Sequence, residues 1–463
     1  MRVVLADLKG VGGLVAKDTV AGGYGSRLVP FSKVSHAVHL FKRRYIRVPS
    51  VQMAYLAAIC AEAGHDVSFT GQALVDGDVA IVLSSLVDYR NETSWADQMR
   101  ARGVRVGFVG LTASKLPHLF APHADFVIKG EPEAAVQRLA AGEMLSGMCD
   151  SPAVDDLDSL PFPRWDLLGV KPRTRRILTP RPSGGGYTVL ASRSCPEFCT
   201  YCPHRILTRY RARSVDNVVA ELEGLCQRDW RPYVIFRDPL FTQQRDRVVE
   251  LCEAIIRRGL NLRFDCETRL DRLDNGLLDL MHAAGLRAIS YGVEAVSPDT
   301  LRKVGRRPIP EAHHREVIAH CRELGVATAA FYVFGFLTDT WESIAATIDF
   351  AIDMDSTIAQ FKLLTPYPGT PLWKQLEPRV YETDWEKFDG YTPTFTHPNL
   401  TAQELRFLLG AAYTRFYVRP SYLANILRIS DSRIRSWFDP FDRRALAMCA
   451  RLEAAKMSRS VTC

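Results

Sequence analysis

The sequence predicts an α/β protein made of two successive blocks, and three observations carry that expectation. Short apolar runs of strand length alternate with amphipathic stretches of helical length from Arg2 to Leu363, the pattern of parallel sheets with helical crossovers. The alternation breaks between Asp150 and Gly185, where DSPAVDDLDSLPFPRWDLL, KPRTRR and RPSGG follow one another; Pro, Asp and Gly at that density mark an ordered connector followed by a flexible turn. A chain of 463 residues is also too long for one hydrophobic core.

In chain order, Arg2–Ala6 is an apolar run closed by Asp7, which reads as a buried strand and not as a signal peptide. Lys9 to Arg27 carries six glycines, too many for a helix or strand interior. A helix is expected over Ser50–Ala63 with Gly64 at C′. Strands follow at Asp66–Phe69 and Val79–Leu83, a helix at Ser94–Arg102, and strands at Val104–Val109 and Phe126–Ile128. This is a doubly wound, Rossmann-like pattern, whose ligands bind at the carboxyl ends of the strands. Ser84, Ser85, Gly110, Thr112, Gly130 and Glu131 fall there.

The second block starts with the β-rich Gly186–Ser192 and continues with strands at Tyr233–Arg237, Arg263–Cys266, Ala288–Gly292, Ala327–Phe334 and Ile358–Leu363. Helices are expected at Val215–Cys226, Arg245–Arg258, Asn275–Ala284, Glu311–Leu324 and Trp341–Met354. Periodicity does not distinguish a second doubly wound sheet from a barrel. A helix near Ala402–Phe416 and a basic tail close the chain; in the tail Arg428, Arg433, Arg435, Arg443 and Arg444 lie among Leu423, Ile426, Trp437 and Phe438.

Composition, 47% hydrophobic and 24% charged, is that of a soluble globular protein, and no run approaches the ~18 apolar residues of a spanning helix. Eleven irregularly spaced cysteines fit a reducing, cytoplasmic setting better than a disulfide framework. The net charge of +7 is carried largely by short clusters, Lys42–Arg44, Arg173–Arg176 and Arg302–Arg307. Such clusters read as solvated faces that can meet an anionic substrate or a membrane surface, and they give no ground for nucleic-acid binding.

The chemistry concentrates in Cys195-Pro-Glu-Phe-Cys199-Thr-Tyr-Cys202. Four-iron clusters take four cysteine thiolates, so three with no fourth nearby imply an iron left open. A zinc site completed by His204, or three unrelated thiols, are the competing readings. Cys226, Cys252, Cys266 and Cys321 are dispersed and read as buried free thiols. The C-x3-C-x2-C spacing, with Tyr201 before the last cysteine, resembles the radical S-adenosylmethionine (SAM) superfamily. The resemblance implies a partial (βα)6 barrel, a [4Fe–4S] cluster on Cys195, Cys199 and Cys202, and SAM on the open iron.

Carried onto this sequence, it further implies SAM contacts at successive strand ends: Tyr201 against the adenine, Asp238 to the methionine amino group, Arg269 to the carboxylate, Glu294 near the ribose or amino group, and Phe334-Gly335 as an apolar floor. Asp238 is a single carboxylate where relatives carry a GGE-like motif or an acidic pair. Singly, these residues read as a cap, surface ion pairs and packing. Thr365–Pro371 (TPYPGTP) resembles a signature of the cobalamin-linked class.

Residues Tyr55–His65, Val82–Ser85 and Ala124–Pro132 resemble the cobalamin-binding domain that precedes many radical SAM cores, and the connector DLDSLPFPRWDL resembles the linker of that class. Contacts to cobalamin are implied for Lys9, Gly10, Ser84, Ser85, Gly110, Thr112, Gly130 and Glu131. Lys9 stands where the cobalt-ligating histidine would be, and Gly110 is followed by Leu111 in place of a second glycine. A domain of the same fold that binds no cobalamin is the competing reading. The implied layout is a cobalamin-binding-type domain over 1–140, a linker over 141–185, a barrel over 186–375 and a helical subdomain over 376–463. The implied activity is radical hydrogen abstraction with cobalamin-dependent C-methylation in lipid, pigment or natural-product biosynthesis; cyclisation, rearrangement or hydroxylation is the alternative. The implied partners are a small-molecule or lipid-like substrate and an electron donor such as flavodoxin or ferredoxin.

Overall fold

The computed structural model describes residues 1–10, 14–17, 23–28, 36, 49–170 and 186–422. The clusters Lys42–Arg44 and Arg173–Arg176 and the basic tail with its apolar neighbours lie outside the described residues.

The first block forms a six-stranded parallel sheet from β1 (Arg2–Ala6), β2 (Asp66–Thr70), β3 (Val79–Leu83), β4 (Arg105–Val109), β5 (Phe126–Gly130) and β6 (Gly147–Ser151), in the order β2-β1-β3-β4-β5-β6. The order turns back between β1 and β3, which is the switch point where such sheets open a crevice. Among the described residues four helices cover it, α1 (Val51–Glu62), α2 (Tyr89–Ala101), α3 (Leu111–Lys115) and α4 (Glu133–Ala140). Ser50 caps α1 by accepting from the Met53 amide at 3.3 Å, and Gly64 takes φ +81° after its end, as the C′ position requires. All five residues of β3 are buried, because both faces are covered. Strand β6 carries the sheet beyond the expected boundary at 140. Its sequence, GMCDS, has only Cys149 and Ser151 buried, and so no apolar alternation to read.

The second block forms a six-stranded parallel sheet from β7 (Tyr187–Val189), β8 (Tyr233–Phe236), β9 (Arg263–Thr268), β10 (Leu286–Glu294), β11 (Ala327–Phe334) and β12 (Ile358–Leu363), each paired with the next in chain order. Its helices are α5 (Val215–Arg228), α6 (Arg245–Arg257), α7 (Asn275–Ala283), α8 (Pro298–Lys303), α9 (Glu311–Leu324), α10 (Trp341–Met354), α11 (Pro371–Leu376) and α12 (Ala402–Tyr417). Crossovers that always advance one strand in one sense put the helices on one face, which decides for an open barrel over a second doubly wound sheet. The strands alternate accordingly. In β9, Phe264, Cys266 and Thr268 are buried against the helices, while Arg263, Asp265 and Glu267 are half-buried on the lumen side.

Strand β12 ends the sheet, and α12 lies along it. The Tyr417 hydroxyl is 3.1 Å from the Ala359 amide and 2.6 Å from its carbonyl, and the Tyr413 hydroxyl donates to the Phe361 carbonyl at 3.1 Å. Two phenols thus occupy backbone groups that an edge strand leaves free. One apolar core runs through both blocks, joining α1, Trp165 and β7. Among the described residues no helix is long and apolar enough to cross a membrane.

Candidate active site

Strand β7 leads into a short antiparallel ribbon, Ser192–Arg193 with Arg211–Ala212, and the three-cysteine loop hangs between its arms. Ser194 adopts φ 66°, and its hydroxyl contacts the Thr208 carbonyl at 2.8 Å and the His204 carbonyl at 3.1 Å, tying the loop's two ends together. Cys195, Cys199 and Cys202 are free and half-buried. Burial pushes the Cys195 and Cys202 thiols up, so loading metal here releases protons. Among the described residues no three His, Cys, Asp or Glu side chains converge on a single ion.

The loop is locked from the side by α8 and α11. The Thr200 amide donates to the Val304 carbonyl and the Leu372 amide to the Thr200 carbonyl, both at 3.0 Å. Gly305, at φ +74°, lies so close that a Cβ there would sit 2.0 Å from the Phe198 carbonyl oxygen, so only glycine fits. Beside it Arg306 is half-buried, with Nη1 4.0 Å from the Cys199 sulfur and 3.6 Å from Glu294, while Nη2 donates to the Gly292 carbonyl. The sequence placed Arg306 in a solvated basic cluster; its partners lie far away in sequence, and the clue was its position after the Val304-Gly305 turn.

Glu294 ends β10 at φ 66°, beside an irregular register with β11. A side chain held in the left-handed region at a site is a functional signal. Burial pushes its carboxyl up, opposed by Arg306 and by a hydrogen bond from Tyr201. Tyr201 packs edge-on against Phe336, centroids 5.6 Å apart. Arg269 is 5% exposed; its Nε and Nη2 bind Asp271 at 2.9 and 3.0 Å, while Nη1 lies 3.9 Å from Glu197 of the cysteine loop and has no hydrogen-bond partner. A buried guanidinium N–H left open beside the loop fits a small carboxylate.

Two expected SAM contacts sit differently. Asp238 is buried, with its carboxylate accepting from Ser192 Oγ at 2.6 Å and the Ala191 amide at 3.1 Å, and burial pushes its pKa up to about 6. It pins the end of β8 to the ribbon that opens the cysteine loop. Phe334 is 1% exposed and packs on Phe361 at 5.6 Å. Strand alternation turns its ring into the helical layer, so Val333 and not Phe334 faces the lumen. Gly335, at φ +88°, donates its amide to Asp339 at 2.9 Å.

In the first block the switch point is filled by the chain itself. Lys17, its side chain 2% exposed, lies 2.9 Å from Glu92 and 3.8 Å from Asp7 and donates to the Leu83 carbonyl at 2.9 Å. Ser85 is bound to Glu92 through hydroxyl and amide at 2.6 and 2.9 Å. Ser84 Oγ donates to the Val109 carbonyl at 2.7 Å and accepts from the Ala113 amide at 3.0 Å. A Cβ on Gly10 would sit 2.1 Å from Asp88 Oδ1. Lys9 pairs with Asp7 at 3.6 Å. Gly110 and Gly130 take φ +106° and +105°, and the buried Thr112 Oγ1 has no partner. An open groove of about 360 Å³ at these strand ends is lined by Ser114, Lys115, Gly130, Asp150, Ser151 and Leu207 among others.

Glu131, expected at cobalamin, instead joins the two blocks. Arg193 lies 3.3 Å from Glu131 and 2.8 Å from Glu133, and Arg211 is paired with Glu131 as well. All four are under 10% exposed. Arg193 is two residues before Cys195, so the clamp ties the β5 loop to the cysteine loop. Tyr367 of TPYPGTP adds a second tie, stacking on Tyr24 at 5.2 Å.

The family model of the radical SAM superfamily matches residues 189–351. An uncharacterized methyltransferase of Pyrococcus horikoshii is 28% identical over 324 residues, 65% of this chain and 69% of the relative. The anaerobic magnesium-protoporphyrin IX monomethyl ester cyclase of Cereibacter sphaeroides is 28% identical over 330 residues, 65% of this chain but 52% of the cyclase, so the chain spans about half of that relative's length. Among solved structures, the radical SAM methyltransferase TsrM of Kitasatospora setae, with cobalamin and a [4Fe–4S] cluster bound, matches with a TM-score of 0.62 at 16% identity, covering 91% of each chain. At that identity the likeness speaks for the fold.

Proposed function

The chain belongs to the radical SAM superfamily, and from that premise we propose that it is a cobalamin-dependent C-methyltransferase acting on an unactivated carbon of a small-molecule or lipid-like substrate. The observation that carries the proposal is the buried clamp of Arg193 on Glu131 and Glu133 at 3.3 and 2.8 Å. It holds the carboxyl ends of both sheets against one another, where a methyl carrier and a radical source must face one substrate. When bound, the cluster and SAM supply a reductively generated 5′-deoxyadenosyl radical that removes hydrogen from carbon, and cobalamin supplies a methyl group to that carbon.

The chain's own residues set the stage for this. Cys195, Cys199 and Cys202 hold the cluster, with Arg306 supplying positive charge beside Cys199. The open Nη1 of Arg269 receives the SAM carboxylate, and Glu294, oriented by Arg306 and Tyr201, receives a ribose hydroxyl or the amino group. Asp238 acts through the ribbon it pins and positions the loop. The groove along Ser114, Gly130 and Ser151 would form one edge of the space that holds cobalamin.

A second reading is favoured by the filled switch point: Lys17, Glu92 and Ser85 satisfy one another, as in a domain that serves only as a scaffold. The enzyme would then be a radical SAM cyclase, rearrangement or hydroxylation catalyst. Anaerobic reconstitution with iron, sulfide and hydroxocobalamin, followed by turnover with SAM and dithionite, separates the two. Bound cobalamin by absorbance, with 5′-deoxyadenosine and S-adenosylhomocysteine by mass spectrometry, is the expected result. Cluster and 5′-deoxyadenosine without cobalamin would overturn the methyltransferase in favour of the second reading.

A further inference from the structure

We propose that the outer face of the cysteine loop, centred on Phe198 and rimmed by Arg205, Arg302, Lys303 and Arg307, is the docking surface for an acidic one-electron carrier protein of the flavodoxin or ferredoxin class. The inference rests on the radical SAM reading, since the reaction needs one electron from outside, and it adds the place of entry.

Phe198 sits between two of the cysteines and is 57% exposed. It is held outward, not left loose: the Arg205 guanidinium lies over the ring at 4.9 Å and donates to the Glu197 carbonyl at 3.1 Å. The end of α8 is fixed against the same loop through the Thr200–Val304 hydrogen bond at 3.0 Å and the Gly305 contact with Phe198. That attachment brings Arg302, Lys303 and Arg307, all exposed, to the rim. Arg272 completes it, donating to Glu197 at 2.9 Å.

Charge decides the kind of partner. Among the described residues, Arg205, Arg272, Arg302, Lys303 and Arg307 are five cations against three carboxylates: Glu197, which Arg272 engages, Asp299, which pairs with Arg302 at 2.8 Å, and Asp271, which Arg269 holds close to Arg272. The face is therefore positive, with one protruding aromatic at its centre. An apolar anchor inside a charged rim suits a small, transient, electrostatically steered contact. Arg306 and Arg269, two of the groups assigned to SAM, meet the loop at Cys199 and Glu197, whereas Phe198 faces solvent, so a carrier seated on Phe198 approaches the cluster loop from its exposed side.

The test uses the full chain with its cluster assembled, the triple variant R302E/K303E/R307E, and R257E/R258E at the far end of the barrel as a control. A recombinant acidic flavodoxin is the probe, its binding followed by calorimetry across ionic strength and its delivery of one electron followed by the paramagnetic signal of the reduced cluster. We expect the triple variant to weaken binding and slow flavodoxin-driven reduction on the order of tenfold, to flatten the salt dependence, and to leave dithionite-driven SAM cleavage unchanged. The control variant should match the parent. A triple variant that accepts flavodoxin electrons at the parental rate, while dithionite still drives SAM cleavage, overturns the docking surface alone. Loss of anionic-vesicle binding with flavodoxin binding unchanged would reassign the face to a membrane. A chain that assembles no cluster would overturn the radical SAM chemistry and this proposal together.

Discussion

The two parallel sheets treat their carboxyl ends in opposite ways. In the first, the order reverses between β1 and β3 and opens a crevice, but the chain largely closes it: Lys17, Glu92, Asp7 and Ser85 pair among themselves, Ser84 bonds the backbone of Val109 and Ala113, and the Thr112 hydroxyl and Asp7 Oδ1 are left without hydrogen bonds. In the second, the order never reverses, the sheet curls around a half-buried lumen, and polar groups at the strand ends stay incompletely engaged, with Arg269 Nη1 3.9 Å from Glu197 but without a hydrogen bond and Glu294 held at φ 66°. Unfinished pairing and backbone strain mark capacity for a ligand. The comparison assigns the reactive centre to the second sheet and a receiving or supporting role to the first.

The sharpest way to break that contrast is to remove one arm of the loop. If Cys195, Cys199 and Cys202 hold the cluster as proposed, Cys199→Ser should abolish it, read as iron and sulfide content, and bring 5′-deoxyadenosine to background. Lys9→Ala in the first sheet should leave both readouts at the parental level. Retained SAM cleavage in Cys199→Ser would remove the second sheet's claim to the chemistry.

How much of this was legible in the sequence follows from the range of each interaction. Helices Glu311–Leu324 and Trp341–Met354 and strands Ala327–Phe334 and Ile358–Leu363 are found at their expected ends, since local periodicity specifies them. Sheet order was not readable, because pairing is a long-range choice among equivalent strands. The cysteine loop was evident from spacing. Arg306 and Arg193 were missed for one reason: a charged side chain looks solvated until its partner, 107 residues away at Cys199 or in the β5 loop, is brought against it. Phe334 shows the converse, a correct strand position assigned to the wrong face, since alternation fixes sides only after the lumen is known.

The clamp between the sheets gives the next largest effect. Arg193→Gln leaves Glu131 with Arg211 alone and Glu133 without a cation in a buried site, which should cost about 3–5 kcal/mol. Urea unfolding should report a lower midpoint, and Arg193→Lys should recover only part of it because a point charge cannot reach both carboxylates as a fork does. A variant with the parental midpoint would mean that the sheets are held by apolar contact alone, and that the clamp has no energetic share in joining them.

The smallest effect tests the lumen itself. Asp265 accepts from the Tyr233 hydroxyl at 3.2 Å, and burial pushes its carboxyl up to about 7, above an unfolded value of about 3.9. Between those values the native chain keeps a proton that the unfolded chain has released. Stability therefore falls as pH rises through that window, by at most about 1.4 kcal/mol per pH unit from this group. Asp265→Asn keeps an acceptor for Tyr233 and cannot ionise. The variant should unfold like the parent near pH 4 and be more stable above pH 7, and taking the difference between the two curves cancels the similar contributions of Asp238 and Asp339, whose carboxyls burial pushes up to about 6. A difference that does not change with pH would mean that water reaches Asp265 freely. The lumen would then be as wet as the surface, and the distinction between a sealed first sheet and a protected, receptive second one would fail at its inner layer.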